Sequence, residues 1–243
     1  MYKVTIGEEQ LPSTQEREVY RTLRTNIEFT GVENRVITVT GVAPDDGKST
    51  VSYQLACAFA ESGKKTLLID ADMRKSVLLH RLQIQESVKG LSHYLSGQEN
   101  VGDVIYSTNK KNLFLMPSGI FPTNPTELMG NERFSQMIPV VKNTFDYTII
   151  DTPPLGNVID AAVAARVSDG SILVLAADAA SRVEAQNVAD QLKAANSNVL
   201  GVVLNKVDVQ FNSYYGKYGR YGRYGKYGSF SSRRHKDETK KKE

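Results

Sequence analysis

The sequence predicts an α/β fold: a mostly parallel central sheet flanked by helices, followed by a flexible tail. Three observations predict it. Short β-branched, apolar runs alternate with segments of helical spacing along most of the chain, the arrangement of a parallel sheet covered on both faces. A glycine-containing loop ending in Gly47-Lys48-Ser49-Thr50 joins the first such run to the first long apolar helical segment. After Val209 the periodic pattern stops, and a repeat of tyrosine, glycine and a cation takes its place.

Six runs carry the strand signal: Val36–Thr40, Thr66–Ile69, Leu113–Met116, Tyr147–Ile150, Ser171–Leu175 and Val199–Leu204, each bounded by turn residues or charge. Helical spacing marks Val51–Ser62, Asn131–Val141, Asp160–Val167 and Arg182–Ala195 between them. Ahead of the first strand, Gln15–Phe29 reads as a further helix with charge on one side, expected to pack outside the domain or against a partner. Residues 1–30 are thus an N-terminal segment and helix, 31–211 the main domain and 212–243 the tail.

A chain of 243 residues can bury a substantial core. No apolar run reaches the roughly 20 residues needed to span a bilayer, and the start MYKVTIGEEQ lacks the layout of a signal peptide, so a cytoplasmic protein is expected. The lone Cys57 sits in an apolar-periodic stretch, where a buried side chain competes with a reactive thiol. His80, His93 and His235 have no metal-ligand spacing. The net charge of +3 is uneven: residues 212–243 carry ten Lys and Arg against three Asp and Glu, giving 10 − 3 = +7, so residues 1–211 carry 3 − 7 = −4. The basic balance therefore belongs to the tail, and no nucleic-acid partner is expected for the body.

Three strand ends carry chemistry. VITVTGVAPDDGKST places strand, loop and helix in the order a Walker A phosphate loop requires, which makes the fold class a P-loop NTPase. Gly47 lets backbone N–H groups approach phosphate oxygens, Lys48 neutralises their charge, and Ser49 can coordinate Mg²⁺ at the helix N-terminus beside Thr50. Val42 stands where the first glycine of the general pattern belongs. Asp45 and Asp46 lie close to the phosphate path and are expected to point away or to bind metal. In LLIDADMRK, Asp70, Asp72 and Arg74 recur at a spacing of two, and an extended chain would project all three from one side, with Asp72 as general base. YTIIDTPP ends a strand in Asp151, a Walker B aspartate for magnesium. The three ends converge if ligands bind beyond the carboxyl ends of the strands. Asn205, at the end of VVLNKVD, is either a contact for an adenine edge or a turn residue.

The Walker A loop with Pro44, the D-x-D-x-R motif, the D-T-P-P sequence and the C-terminal tyrosines together resemble the bacterial tyrosine kinases of capsule and exopolysaccharide systems. E-x-x-R-x-x-R at Glu18, Arg21 and Arg24, and GIFPTNPTELM with Asn124, Pro125, Glu127 and Leu128, extend the resemblance. It implies ATP and Mg²⁺ as cofactors, nucleotide held by Lys48, Ser49 and Thr50, and metal and catalysis served by Ser49, Asp70, Asp72, Arg74 and Asp151. It also implies a homo-oligomeric ring, commonly an octamer, assembled through Glu18, Arg21 and Arg24; from spacing alone these three are a solvated helix face. Further implied partners are a separate transmembrane adaptor of the polysaccharide co-polymerase type, a cognate tyrosine phosphatase and other protein substrates, with recruitment to the inner face of the plasma membrane.

The tail reads YGKYGRYGRYGKYG from Tyr215, with glycine at every third position, so neither helix nor strand is expected. Tyr214, Tyr215, Tyr218, Tyr221, Tyr224 and Tyr227 are the candidate autophosphorylation sites. Asn212–Tyr227 spans about 20 Å as a coil and about 50 Å at full stretch, enough to reach a neighbouring subunit. Six phosphotyrosines would add roughly −9 to −12 and invert the tail's charge, which is expected to loosen a ring. A solubilising tail, an RNA-binding arm and a lipid-attracted strip are its competing readings. For the whole chain the alternative is an ATPase switch of the partitioning or division-site type. Such switches carry a lysine early in the phosphate loop, where this chain has Ala43.

Overall fold

The computed structural model describes residues 2–7, 13–177, 179, 181–195 and 197–207. Eight strands form one sheet: β1 (Tyr2–Lys3), β2 (Val36–Gly41), β3 (Thr66–Asp70), β4 (Tyr106–Ser107), β5 (Leu113–Met116), β6 (Tyr147–Asp151), β7 (Gly170–Ala176) and β8 (Val199–Asn205). Their order across the sheet is β1-β4-β5-β3-β6-β2-β7-β8, and every pairing is parallel except β4 with β5. All six strands expected from the sequence are present. The additions, β1 and β4, are two residues each, too short for any periodicity to register.

The helices are α1 (Thr14–Phe29), α2 (Lys48–Glu61), α3 (Leu78–Arg81), α4 (Leu91–Leu95), α5 (Pro125–Met129), α6 (Glu132–Thr144), α7 (Asp160–Val167) and α8 (Arg182–Ala194). A capping box opens α1: the Ser13 hydroxyl accepts from Glu16 N at 3.2 Å, and the Glu16 carboxylate accepts from Ser13 N at 2.7 Å. Its apolar side, Tyr20, Leu23 and Ile27, packs toward α2, as expected of a helix added to the outside of the domain.

The central strands are buried at every position because helices cover both faces. Alternation sorts their side chains. Leu68 and Ile149 join Leu55 and Phe59 in a core under α1 and α2, while Ile69 and Ile150 join Phe134 and Met137 in a second core under α6. Phe59 stacks on Tyr147 at 3.8 Å between ring centroids. Cys57 is buried in the first core.

β2 separates the two halves of the sheet: β6 and β3 lie to one side of it, β7 and β8 to the other. The ends of β2, β3 and β6 are therefore neighbours although the chain visits them far apart. Among the described residues, no helix is long and apolar enough to cross a membrane. The candidate phosphorylation sites Tyr214, Tyr215, Tyr218, Tyr221, Tyr224 and Tyr227 lie outside the described residues.

Candidate active site

A cavity of about 260 Å³ opens beyond the carboxyl ends of β2, β3 and β6, with Gly47, Lys48, Ser49, Asp72, Arg74 and Pro153 in its wall. The loop between β2 and α2 forms its floor. Gly47 takes φ = +90°, and a Cβ there would lie 2.0 Å from the Asn205 amide nitrogen, so glycine is required twice over. Where Val42 replaces the first glycine, the accommodation comes from elsewhere. A Cβ on Gly156 would meet the Val42 carbonyl at 2.2 Å, so it is Gly156 that lets the β6 exit lie against the loop.

Asp46 takes the first of the two expected courses and turns away from the cavity. It is 1% exposed, and its Oδ2 accepts from Val42 N at 2.9 Å and Ala43 N at 2.8 Å. The carboxylate turns inward because those two amides would otherwise have no partner inside the loop. Asp45 remains on the cavity wall, with φ = 63°. Lys48 Nζ donates to the Ala43 carbonyl at 3.0 Å, and burial lowers its pKa against the raising pull of Asp151, Asp46, Asp72 and Asp45.

Asp70 and Asp151 are register partners at the ends of β3 and β6, both fully buried, so two carboxylates share one dry corner. Burial first, then the charge of Asp151, pushes Asp70 up to about 8, against a hydrogen bond from the Ser76 hydroxyl. Burial also pushes Asp151 up to about 6, opposed by the hydroxyls of Ser49 and of Ser52, whose Oγ donates to Asp151 Oδ1 at 3.0 Å.

The extended reading of Asp70, Asp72 and Arg74 is corrected. β3 ends at Asp70 and a turn follows over Met73–Lys75, because Asp72 Oδ1 accepts from the backbone of Arg74 at 3.1 Å and Lys75 at 2.9 Å. Asp70 therefore faces inward, Asp72 faces the cavity, and the Arg74 guanidinium reaches Asp160. Asp160 and Thr126 were not singled out from the sequence: one is the first residue of α7 and the other lies in α5, with no local pattern to mark them.

Among the described residues, no three of His, Cys, Asp and Glu converge into a metal cluster. Asp70, Asp72 and Asp151 with Ser49 are hard oxygen donors that suit magnesium, which usually keeps waters and phosphate oxygens beside one or two carboxylates.

Asn205 Nδ2 donates to the Asp46 carbonyl at 2.9 Å, bracing the loop from the end of β8. Thr50 follows Ser49 in the first turn of α2. Of the α1 residues, Glu18 and Arg21 pair with each other at 2.5 Å on the surface, but Arg24 Nη1 donates to the Ala58 carbonyl of α2 at 3.2 Å. That face is divided between solvent and the chain's own interior.

The pattern of a family described as an AAA domain matches residues 34–199. The chain is 44% identical over 223 residues to the tyrosine-protein kinase CpsD of Streptococcus agalactiae, covering 89% of this chain and 97% of the relative. Among solved structures, the chimerical protein CapA2B2 superposes with a TM-score of 0.76 at 30% identity, covering 85% of this chain and 94% of that one. The septum site-determining protein MinD of Pyrococcus horikoshii OT3, complexed with Mg-ADP, superposes with a TM-score of 0.62 at 26% identity, covering 70% and 69%.

Proposed function

The chain belongs to the bacterial tyrosine-protein kinases of capsule and exopolysaccharide systems, and on that footing we propose that it phosphorylates its own C-terminal tyrosines in trans, using magnesium-bound ATP. The observation that carries the site assignment is the buried Asp151, register partner of Asp70, whose charge acts on Lys48 at the start of α2.

In this reading, backbone amides at Gly47–Thr50 and the Lys48 ammonium hold the β- and γ-phosphates. Asn205 braces the loop through its amide nitrogen, and its carbonyl oxygen is left to accept from the adenine edge. Ser49 with one or two of the carboxylates Asp70, Asp72 and Asp151 would hold magnesium, which when bound neutralises phosphate charge. The tyrosine oxygen attacks the γ-phosphorus, the bond to the β–γ bridging oxygen breaks, ADP leaves, and the phenolic proton passes to the Asp72 carboxylate. With tyrosine near pKa 10 that proton leaves late, so a carboxylate suffices as acceptor. The roughly 50 Å reach of Asn212–Tyr227 supports transfer between subunits of a ring to which Glu18 and Arg21 contribute.

The same reading makes residues 31–211 the kinase domain and 212–243 its substrate tail, at the inner face of the plasma membrane. A transmembrane adaptor stimulates it, a phosphatase reverses it, and polysaccharide synthesis and export are the regulated output.

Labelled ATP with Mg²⁺ tests the proposal. Label is expected on tyrosines 214–227 and is expected to fall at least about 100-fold in Lys48→Met. Label retained in that variant overturns the site assignment, and phosphate release without label makes the chain an ATPase switch.

A further inference from the structure

We propose that Asp160 and Thr126 are positioning residues that hold the Arg74 guanidinium away from the Asp72 carboxylate and fix its remaining edge in the cavity. The inference deepens the proposed phosphoryl-transfer site and rests on that assignment.

Three separate stretches of chain meet here. Arg74 comes from the turn after β3, Thr126 from α5 and Asp160 from the first turn of α7. Arg74 Nε donates to Asp160 Oδ2 at 2.7 Å and Nη2 to Asp160 Oδ1 at 3.2 Å, a two-pronged grip that fixes the plane of the guanidinium. Thr126 Oγ1 lies 2.7 Å from Arg74 Nη2 and 2.6 Å from Asp160 Oδ1. Its hydroxyl accepts from the first and donates to the second, closing a three-membered ring of hydrogen bonds. Asp160 is 1% exposed, so its charge has little recourse to water and the pairing is held firmly.

The grip matters because of what stands next to it. Asp72 is two residues from Arg74, lines the same cavity, and is the proposed proton acceptor. A guanidinium released from Asp160 would find that carboxylate as its nearest remaining partner, since Asp72 already accepts the Arg74 backbone N–H. Pairing there would occupy the oxygens that a tyrosine proton needs. Held as it is, Arg74 spends Nε and Nη2 on the latch and leaves Nη1 without a hydrogen bond among the described residues. Nη1 is then available to an anion in the cavity, namely the phosphoryl group on its way to tyrosine. Arginine suits this use because its planar fork serves two sides at once, which a lysine ammonium cannot do.

The test uses full-length variants as kinases and a mass-tagged full-length Lys48→Met chain as acceptor. It reads turnover at saturating ATP, ADP affinity by fluorescent-analogue displacement, and Tm. Thr126→Val is isosteric and removes only the hydroxyl, so it serves even if Asp160→Asn folds poorly; Thr126→Ser restores the hydroxyl. Turnover is expected to fall about 10- to 100-fold in Asp160→Asn and clearly in Thr126→Val, with ADP affinity unchanged and Thr126→Ser near wild type. Arg74→Lys should resemble Asp160→Asn. Thr126→Val matching wild type, or turnover losses that follow ADP affinity or Tm, overturns the latch. Tyrosine label surviving when Lys48→Met is itself the kinase overturns the site assignment instead, so the two failures are separable.

Discussion

Two neighbouring regions of the molecule bury aspartate in opposite ways. At the ends of β3 and β6, Asp70 and Asp151 are 0% and 1% exposed and meet each other, hydroxyls and a backbone amide. At the start of α7, Asp160 is as deeply buried and meets the two-pronged guanidinium of Arg74. Burial is the same in both places, so it cannot distinguish a structural carboxylate from a chemical one. What differs is the cation: Asp160 is gripped by one, whereas Lys48 acts on the Asp70–Asp151 corner only through space, its ammonium donating to the Ala43 carbonyl.

The strongest way to break this contrast is to neutralise Asp70. Its carboxyl is raised from 3.8 to about 8, so the folded state binds that proton more tightly than the unfolded chain does. For this group the metal-free protein loses stability as pH rises from about 4 to about 8. Asp70→Asn lacks that loss and is expected to be more stable than wild type at pH 8 by roughly 2–5 kcal/mol, with little difference near pH 4. Denaturant midpoints in chelator at the two pH values measure it; parallel pH slopes would refute an Asp70 carboxyl raised by burial.

Arg74→Ala turns Asp160 into the other kind of aspartate by removing its cation. A loss of about 2 kcal/mol in unfolding free energy is expected at pH 7, partly recovered by adding Asp160→Asn, since a neutral amide needs no counter-charge. Because Arg74 keeps 36% of its side-chain surface exposed, this effect stands at the low end for buried pairs. Unchanged stability in Arg74→Ala would mean that water already screens Asp160.

The smallest effect sharpens the comparison on α1. Arg24→Ala removes the bond to the Ala58 carbonyl and should cost about 1 kcal/mol in dilute protein. Glu18→Ala, at an exposed pair, should stay within about 0.5 kcal/mol. Equal effects would return all three residues of that face to one role.

Much of this was legible in advance. Val36–Thr40, Thr66–Ile69 and Tyr147–Ile150 announced the central strands because buried parallel strands are apolar along their whole length. Gly47-Lys48-Ser49 announced the cavity wall, since a phosphate loop needs those residue types at that spacing. Asp46 turns away from the cavity as its charge suggests, but the two loop amides that receive it are visible only in the fold. Asp70, Asp72 and Arg74 were placed on one side because alternation was extended past the last strand residue, where a side-chain-to-backbone turn takes over.

What the sequence determined by itself is what depends on near neighbours: the alternation of strand and helix, the loop chemistry, and the charge division between body and tail. Strand order, the meeting of Asp70 with Asp151, and the grip of Asp160 and Thr126 on Arg74 were decided only by tertiary structure. The last joins residues 86 apart in the chain, and no local periodicity records which distant carboxylate will be brought beside which cation.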